Sequence, residues 1–316
     1  MLNIFKIPVS TPYVIGTVNS YLIKNEPLTL VDPGPNTEEA KNDLSAGLKN
    51  LGVEVEDLKR VVLTHSHVDH CGLIPWIQRT AGVEAYMHRS EMRKIGPDYD
   101  FYLERQAFLQ EAGMPSNILY EILSDFDPVG EREYLEPNVV ALNEGDALTF
   151  DGGALTTLHI PGHSEGLICL YDQDNGDLIG GDFVLKRITP NPNMEPDSKD
   201  FSHRLPTLRQ YLTGLSRLEK LDPKNILPGH GENISDGKAL AQEIREHHME
   251  RLEDVYEVLK KDKMTVYQLM RVFYPDIRGF EIYLGVSEVF AHVDYLISEG
   301  RIVKQNPGPS SIYRSV

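Results

Sequence analysis

The sequence predicts an α/β protein with a layered core and a small helical tail. Three observations support this fold class. Segments rich in β-branched and aromatic residues alternate with amphipathic segments of helical period, which is typical of layered α/β cores. Four of the predicted strands end in histidine or aspartate, and from about residue 238 helices take over. With 316 residues, 41% of them hydrophobic and 25% charged, the chain is long enough for one large core and a small appended domain.

The pattern of the first ninety residues predicts four strands and two helices, in the order strand, strand, helix, strand, helix and strand. Thr37 is a suitable N-cap because Glu38 and Glu39 follow it in the first helical turn. The strands are expected at 13–23, 28–31, 61–64 and 83–87, and the helices at 37–51 and 73–80.

A helical insertion is predicted between residues 89 and 136. Apolar residues recur there at helical spacing, and Gly113-Met114-Pro115 interrupts them. The insertion either adds packing or forms a lid or pocket wall over the site. Tyr99, Tyr102 and Arg105 are its candidate pocket residues.

Strands return after the insertion, and three of them present a metal-binding side chain at their ends. His163 follows the strand 154–160, Asp182 follows a strand at 178–179, and His230 follows a strand at 225–227. A helix is expected at 206–220. Strand ends are where α/β scaffolds assemble sites, so these three residues are candidate ligands.

The tail predicts three helices and a β-hairpin, the outline of a winged helix. The helices are expected at 238–261, 266–274 and 288–298, the last one capped by Ser287, and a turn at 306–309 joins the hairpin strands. Binding of nucleic acid would need a basic third helix, yet this one carries Glu288 and Asp294 and no lysine or arginine. A structural or dimerising role is therefore favoured, and a homodimer is one form it would take.

The densest chemical signal is the segment His65-Ser66-His67-Val68-Asp69-His70, which follows the apolar strand 61–63. Imidazole and carboxylate groups bind divalent metals such as zinc. In an extended strand end, His65 and His67 point the same way, whereas Asp69 and His70 lie where a helix begins. The segment therefore offers two pairs of ligands, enough to start two metal sites.

Composition narrows the functional classes further. The net charge of −17 disfavours general binding to nucleic acid. Two cysteines exclude a disulfide framework and fit a reducing cytoplasm. The opening residues show no secretory leader, and no apolar run reaches eighteen residues, so we expect a cytoplasmic protein that does not span a membrane.

Taken together, these motifs resemble the metallo-β-lactamase superfamily of hydrolases. Five elements occur in the family order: Val31-Asp32-Pro33-Gly34, the His65–His70 segment, Pro161-Gly162-His163, Gly181-Asp182 and Pro228-Gly229-His230. The resemblance implies a four-layer αβ/βα sandwich with a dinuclear metal site at one edge. His65, His67 and His163 would hold the first metal, Asp69, His70 and His230 the second, and Asp182 would bridge them. Asp32, and with it Thr64, would orient a ligand.

The resemblance also implies the chemistry. Two metals about 3.5–4 Å apart would share a hydroxide that attacks an ester-like bond, with Asp69 orienting the nucleophile and passing its proton to the leaving group. Zinc is the default metal, and iron or manganese are the alternatives. A glutamate replaces His67 in the flavodiiron branch, so hydrolysis is favoured over redox chemistry.

The core spacing resembles the glyoxalase II-type thioesterases and lactonases, so a small-molecule thioester or lactone is the first substrate expectation. The tail resembles that of the lactamase-like endoribonucleases, which keeps an endoribonuclease or phosphodiesterase as the alternative. A metal-binding effector with vestigial activity is a third interpretation. Lys186 and Arg187, just past Asp182, either contact an anionic substrate or form a solvated edge.

Overall fold

The computed structural model describes residues 1–125, 138–305 and 309–316. The strands are β1 (Ile4–Val9), β2 (Val18–Ile23), β3 (Thr29–Val31), β4 (Arg60–Val62), β5 (Glu84–His88), β6 (Val139–Leu142), β7 (Ala147–Phe150), β8 (Gly153–His159), β9 (Ile168–Asp172), β10 (Asp177–Gly181), β11 (Pro196–Asp197), β12 (Asp200–Arg204), β13 (Asn225–Pro228), β14 (Ile302–Gln305) and β15 (Ile312–Ser315). The helices are α1 (Glu38–Asn50), α2 (Val68–Cys71), α3 (Ile74–Ala81), α4 (Arg89–Met92), α5 (Phe101–Glu111), α6 (Ser116–Asp125), α7 (Thr207–Leu221), α8 (Gly237–Lys261), α9 (Val266–Phe273) and α10 (Phe280–Ser298).

Two sheets form the centre of the molecule. The first has the order β1-β2-β3-β4-β5-β6 and becomes parallel from β3 onward. The second has the order β13-β10-β9-β8-β7 and is antiparallel except for the β13–β10 pair. Consequently β8, β10 and β13 run in the same direction, and their carboxyl ends meet at one edge.

The alternation of side chains along the strands explains the layers. Val61 packs on the helical side of the first sheet, whereas Val62 packs between the two sheets. In the second sheet Ile226 faces the helices and Leu227 faces the first sheet. Successive side chains of a strand point to opposite faces, so each buried strand contributes to two cores.

Helices cover both outer faces of the paired sheets. α1 and α3 bury Leu44, Leu48, Ile74 and Ile77 against the first sheet. α7 and α8 cover the second sheet with Leu215, Leu218 and Ile244. The resulting order of helix, sheet, sheet, helix confirms the predicted four-layer α/β fold.

The predicted insertion is helical as far as the structure describes it, with α4, α5 and α6 between β5 and β6. Residues 126–136 of the predicted insertion lie outside the described residues. The insertion starts from β5 and returns through β6, which pairs with β5 in parallel. It therefore extends from the first sheet without interrupting it.

The tail contains α8, α9, α10 and the β14–β15 hairpin. The predicted start of the third helix is wrong, because α10 begins at Phe280 and Ser287 is a buried residue in its middle. The backbone N–H of Met194 donates to the Ser287 hydroxyl, so this serine bonds to a distant segment and does not cap a helix. Of the predicted turn at 306–309, residues 306–308 lie outside the described part.

Buried apolar residues of α7, α8 and α10 belong to one hydrophobic cluster. The expected domain boundary lies between residues 237 and 238. α7 lies before this boundary, whereas α8, apart from its first residue, and α10 lie after it. The division of the chain into two domains there stays a prediction. Within the described residues, no helix is both long and apolar enough to cross a bilayer.

Candidate metal centre

Seven predicted ligands converge at the edge where the strand ends meet. His65 and His67 lie in the loop between β4 and α2, and α2 carries Asp69 and His70. His163, Asp182 and His230 follow β8, β10 and β13. The two sheets join here, because the backbone N–H of Asn19 in β2 donates to the Gly229 carbonyl at 2.6 Å.

Three histidine nitrogens form the first group, which we call the first trio (His65, His67 and His163). His67 Nδ1 lies 2.9 Å from His65 Nε2 and 3.0 Å from His163 Nε2. The ligand atoms of the trio all lie within 4.8 Å of one another, close enough to surround one cation. The structure thus brings together the three residues assigned to the first metal.

The second trio consists of Asp69, His70 and His230. Asp69 Oδ2 lies 3.3 Å from His230 Nε2 and 3.8 Å from His70 Nε2. Asp69 is the more open member, with 15% of its side chain exposed, whereas the His70 side chain is fully buried. This trio contains the three residues assigned to the second metal.

Asp182 lies between the two trios. Its Oδ2 atom is 3.8 Å from His163 Nε2 in the first trio, and 3.5 Å and 3.6 Å from the Nε2 atoms of His70 and His230 in the second. One carboxylate oxygen therefore faces nitrogen atoms of both trios, as a bridging ligand would.

Hydrogen bonds on the far side of each imidazole determine which nitrogen carries the proton. His163 Nδ1 bonds to the Asn191 carbonyl at 3.0 Å, and His230 Nδ1 bonds to the Thr17 carbonyl at 2.9 Å. A carbonyl only accepts, so both Nδ1 atoms carry a proton and both Nε2 atoms present a lone pair to the site. His67 is the exception, since it faces the site through Nδ1.

Asp32 and Thr64 fix two further ligands. Asp32 Oδ2 accepts from His70 Nδ1 at 2.9 Å and from the Thr64 hydroxyl at 2.6 Å. Because the Thr64 hydroxyl gives its proton to Asp32, it accepts from His65 Nδ1, 3.0 Å away. The Nε2 atoms of His65 and His70 are thus left free to face the site, as expected for residues that orient metal ligands.

Burial and neighbouring charges shift the pKa values in opposite directions. Burial lowers the pKa of His65, and burial with the charge of His163 lowers the pKa of His67 to about 3. Burial alone would raise the pKa of Asp182, but the charges of His70 and His230 hold it well below its usual range. Burial would lower the pKa of His70, yet Asp182, Asp69 and Asp32 raise it overall.

These pKa shifts mean that the imidazoles of the first trio are neutral and that the carboxylates around His70 are ionised. The carboxylates favour a proton on His70 Nε2, which is the position that a cation would take. Among the described side chains, His70 Nε2, His230 Nε2 and Asp182 Oδ1 are buried without a hydrogen-bond partner. Such atoms are costly to bury unless they bind something, and metal ions suit this donor set.

Close packing at Gly229 keeps the ligands together. A Cβ at this position would lie 2.3 Å from Asp182 Oδ1 and 2.7 Å from His70 Cε1. Glycine is therefore required where the loop before His230 passes the second trio.

Sequence reasoning missed Glu91, which is fully buried beside the first trio. Its carboxylate accepts from the backbone N–H of Ser66 at 3.1 Å and of Gly166 at 2.7 Å. In the sequence, Glu91 has the pattern of a surface residue of a short polar helix, and no local signal distinguishes it.

Other side chains near the strand ends belong to neither trio. His88 at the end of β5 stacks on His159 at the end of β8, with ring centroids 3.9 Å apart, in keeping with a packing role. Arg105 and Tyr99 are predicted pocket residues, but Arg105 is 1% exposed and forms an ion pair with Glu195 at 2.9 Å. Arg105 is thus part of the core, because a guanidinium can be buried when a carboxylate neutralises it.

Lys186 and Arg187 are exposed, and both form ion pairs with Glu232, at 3.0 and 3.3 Å. Glu232 lies two residues past His230, so these ion pairs join the segment after Asp182 to the segment after His230. Lys186 also lines a surface pocket with Asp236 and Glu243, so acidic side chains lie beside these cations as well.

Comparisons of the sequence and of the fold with known proteins point to one family. Residues 14–230 match the family model of the "Metallo-beta-lactamase superfamily". The chain is 32% identical to the "Probable metallo-hydrolase YqjP" of Bacillus subtilis, over 99% of this chain and 98% of that one. It is 29% identical to the human "Acyl-coenzyme A thioesterase MBLAC2" over 52% of this chain and 58% of the relative. The crystal structure of a metallo-beta-lactamase family protein from Thermus thermophilus superposes with a TM-score of 0.85 at 28% identity, covering 99% of this chain and 98% of that one.

Proposed function

The chain belongs to the metallo-β-lactamase superfamily, and on this basis we propose that it is a hydrolase with two metal ions that cleaves a small-molecule thioester or lactone. The observation that carries the proposal is the position of Asp182, whose Oδ2 atom faces nitrogen atoms of both trios. A single-metal site would have no use for a carboxylate placed between two complete sets of ligands.

We assign the first metal to His65, His67 and His163, and the second to Asp69, His70 and His230, with Asp182 shared. Imidazole-rich sites suit zinc, and the two carboxylates keep iron and manganese as alternatives. Support comes from the free Nε2 atoms of His70 and His230, which are buried and oriented from behind by Asp32 and by the Thr17 carbonyl.

Bound there, two divalent cations would lower the pKa of water and polarise the carbonyl of the substrate. Asp69 is the group we place in the proton transfer. It is the carboxylate of the second trio, and 15% of its side chain is exposed. Burial raises its pKa, but the charge of His70 and the contact with His230 together lower the pKa below its usual value, so it is ionised. It would orient the attacking water through Oδ2 and pass a proton to the leaving thiolate or alkoxide.

We place the thioester first among the substrates because a relative named as an acyl-coenzyme A thioesterase aligns with half of this chain at 29% identity. Coenzyme A and glutathione thioesters are anionic. Lys186 and Arg187, exposed beside Glu232 and close in sequence to Asp182, would bind the anionic part of such a substrate.

The tail offers little support for an RNA substrate. α10, the third tail helix, contains no lysine or arginine, and eleven of its residues are buried. A helix that reads nucleic acid must expose basic side chains to the phosphates. We propose a packing role for the tail.

The test is hydrolysis by the metal-loaded protein of an acyl-glutathione thioester, an acyl-homoserine lactone, an aryl phosphodiester and a single-stranded RNA. Asp69→Asn should reduce kcat/KM for the thioester or lactone by about 100-fold or more, since it removes the proton acceptor and keeps the shape. Asp174→Asn, at an exposed hairpin turn, is the matched control. Full activity of Asp69→Asn, or cleavage of RNA alone, would contradict the proposal.

A further inference from the structure

Glu91 lies in the short helix α4, directly after β5, and none of its surface is exposed. Its Oε2 atom accepts hydrogen bonds from the backbone N–H and from the hydroxyl of Ser66. Its Oε1 atom accepts from the backbone N–H of Gly166 at 2.7 Å and from Lys94 Nζ at 3.1 Å. Four donors thus satisfy one buried carboxylate.

Two of the residues that Glu91 binds belong to the loops that carry the first trio. Ser66 stands between His65 and His67, and Gly166 lies three residues past His163. One rigid side chain therefore joins a loop of the first sheet to a loop of the second. The approach is close, because a Cβ on Gly166 would lie 2.7 Å from Glu91 Cγ.

A chain of buried charges keeps Glu91 ionised in this position. Lys94 Nζ lies 3.0 Å from Glu195 Oε1, and Arg105 Nη2 lies 2.9 Å from Glu195 Oε2. Two carboxylates and two cations alternate, so each buried charge has a partner of opposite sign.

This chain of charges also reaches the tail. Arg105 Nε donates to the Tyr283 hydroxyl of α10 at 3.0 Å, and Asn193, two residues before Glu195, donates to the His163 carbonyl at 2.8 Å. The insertion, the tail and the His163 loop are thus held in one hydrogen-bonded network.

We infer that Glu91 is a positioning residue, which sets the distance between the two loops and so the geometry of the first trio. The inference rests on the proposed metal centre. His67 Nδ1 lies about equally far from His65 Nε2 and His163 Nε2, at 2.9 and 3.0 Å, only while Ser66 and Gly166 keep their places. Hydrogen-bond partners behind metal ligands commonly change metal affinity by about 10–100-fold.

The test is Glu91→Gln, which keeps the shape but replaces one acceptor oxygen with an NH₂ group. If that NH₂ group replaces Oε2 it faces Ser66, and if it replaces Oε1 it faces Gly166 and Lys94. All three residues donate to Glu91, so in either orientation the NH₂ group meets a donor. Zn²⁺ affinities of both sites are measured in the full chain by competition with a chromogenic chelator, and Co²⁺ absorption spectra report the coordination of the first site. Glu111→Gln is the matched control, because the Glu111 carboxylate likewise accepts from several side chains, those of Arg204 and Tyr313, but bonds to neither Ser66 nor Gly166.

We expect Glu91→Gln to weaken one of the two Zn²⁺ sites about 10–100-fold and to change its Co²⁺ spectrum, with Glu111→Gln close to the wild type. Equal affinities in the wild type and Glu91→Gln, or equal losses in both variants, would overturn the inference. Ser66→Ala, which removes only the hydroxyl donor, serves if Glu91→Gln does not fold. It should weaken the same site severalfold, and an unchanged affinity would count against Glu91.

The outcomes separate this inference from the proposed function. A wild-type protein that binds no Zn²⁺ would overturn both. Selective loss of one Zn²⁺ site in Glu91→Gln would support the positioning role even if the wild type hydrolysed none of the four test substrates, because metal binding is measured without substrate.

Discussion

Asp32 Oδ2 accepts a hydrogen bond from His70 Nδ1 at 2.9 Å, with both side chains buried. Asp32 has a φ of 51°, a left-handed conformation that aspartate tolerates better than most residues. Its backbone N–H donates to the Val62 carbonyl at 3.0 Å, which holds this conformation between β3 and β4. The turn thereby aims one carboxylate at His70 and Thr64 together.

Replacing this carboxylate by an amide should damage the second metal site. In Asp32→Asn, an NH₂ group in place of Oδ2 would face His70 Nδ1, so the imidazole would move its proton to Nε2, the atom that faces the site. We expect metal affinity or kcat/KM to fall about 10–100-fold. The check is a Zn²⁺ titration against Asp174→Asn, an exposed aspartate in the turn before β10, whereas Asp182 follows the other end of that strand. Wild-type affinity in Asp32→Asn would contradict this role.

Gly229→Ala should disrupt the centre without altering a ligand. The added Cβ would lie 2.3 Å from Asp182 Oδ1, so the His230 loop or the Asp182 side chain must shift. We expect loss of at least one bound metal and of most hydrolytic activity. The control is Gly96→Ala, because Gly96 has an ordinary φ and an added Cβ would make no contact below 3.4 Å. Gly231→Ala is unsuitable, since the φ of Gly231 is 76° and any side chain there is strained. Two metals per chain in Gly229→Ala would show that the loop accommodates the change.

Removing the metal should lower stability, because the ligands bind a cation in the folded state only. At free Zn²⁺ one hundred times Kd, the linkage contribution is about 2.7 kcal/mol for one site. Thermal unfolding with and without a chelator should therefore differ by several degrees. Asp182→Asn, which weakens the shared ligand, should show a smaller difference. An unchanged melting temperature in the wild type would contradict metal binding.

A buried histidine pair in the tail should make stability depend on pH. His248 Nδ1 lies 3.2 Å from His292 Nε2, between α8 and α10, and burial lowers the pKa of both, to about 2 and about 4. The unfolded value is about 6.5. The unfolded chain therefore binds more protons below pH 6.5, so stability is complete above that pH and is lost as the pH falls towards 4.

The loss should reach about 2 kcal/mol per histidine at pH 5. Replacing both histidines by leucine should flatten the dependence between pH 7 and 5, measured by urea unfolding. His247→Gln, exposed on the same helix, is the control. The wild type and both variants contain the same candidate metal ligands. A difference between their curves of stability against pH therefore comes from the His248–His292 pair. Parallel curves for the double variant and the wild type would show that the pair does not titrate there.

The exposed cations beside Glu232 should matter for anionic substrates only. Arg187→Gln, combined with Lys186→Gln, should raise KM for an acyl-glutathione thioester severalfold, with kcat little changed. The KM for an uncharged lactone should stay the same. Higher ionic strength should weaken thioester binding in the wild type and much less in the variant. Equal KM values for both substrates would assign these residues to a solvated edge.

Local signals in the sequence were enough for most of the fold. Thr37 caps α1 by accepting from the Ala40 N–H, as its position before two glutamates predicted. The short continuous apolar runs of β4 and β13 placed those strands correctly, because each strand buries both faces. The candidate ligands could be named from the sequence because histidines at strand ends are a strong chemical signal. Their convergence needed the resemblance to a known family, since spacing alone leaves the pairing of distant loops open.

The features that could not be predicted from the sequence are those that depend on contacts between distant parts of the chain. Ser287 looked like a helix cap, but its hydroxyl bonds to Met194 and the helix continues through it. Arg105 was expected to line a pocket, and no local signal indicated that Glu91 and Lys94 would be buried, because charged side chains are rarely fully buried. Their burial depends on Glu195, about one hundred residues further along the chain.

The ligands are spread from His65 to His230, and the two sheets supply them jointly. A ribosome would have released every strand of both sheets before His230 emerges. The second trio cannot close until β13 has paired with β10 at the sheet edge. Binding at the second trio would therefore have to wait until residue 230 is made, and a chain stopped before it would remain unable to take up its full metal complement.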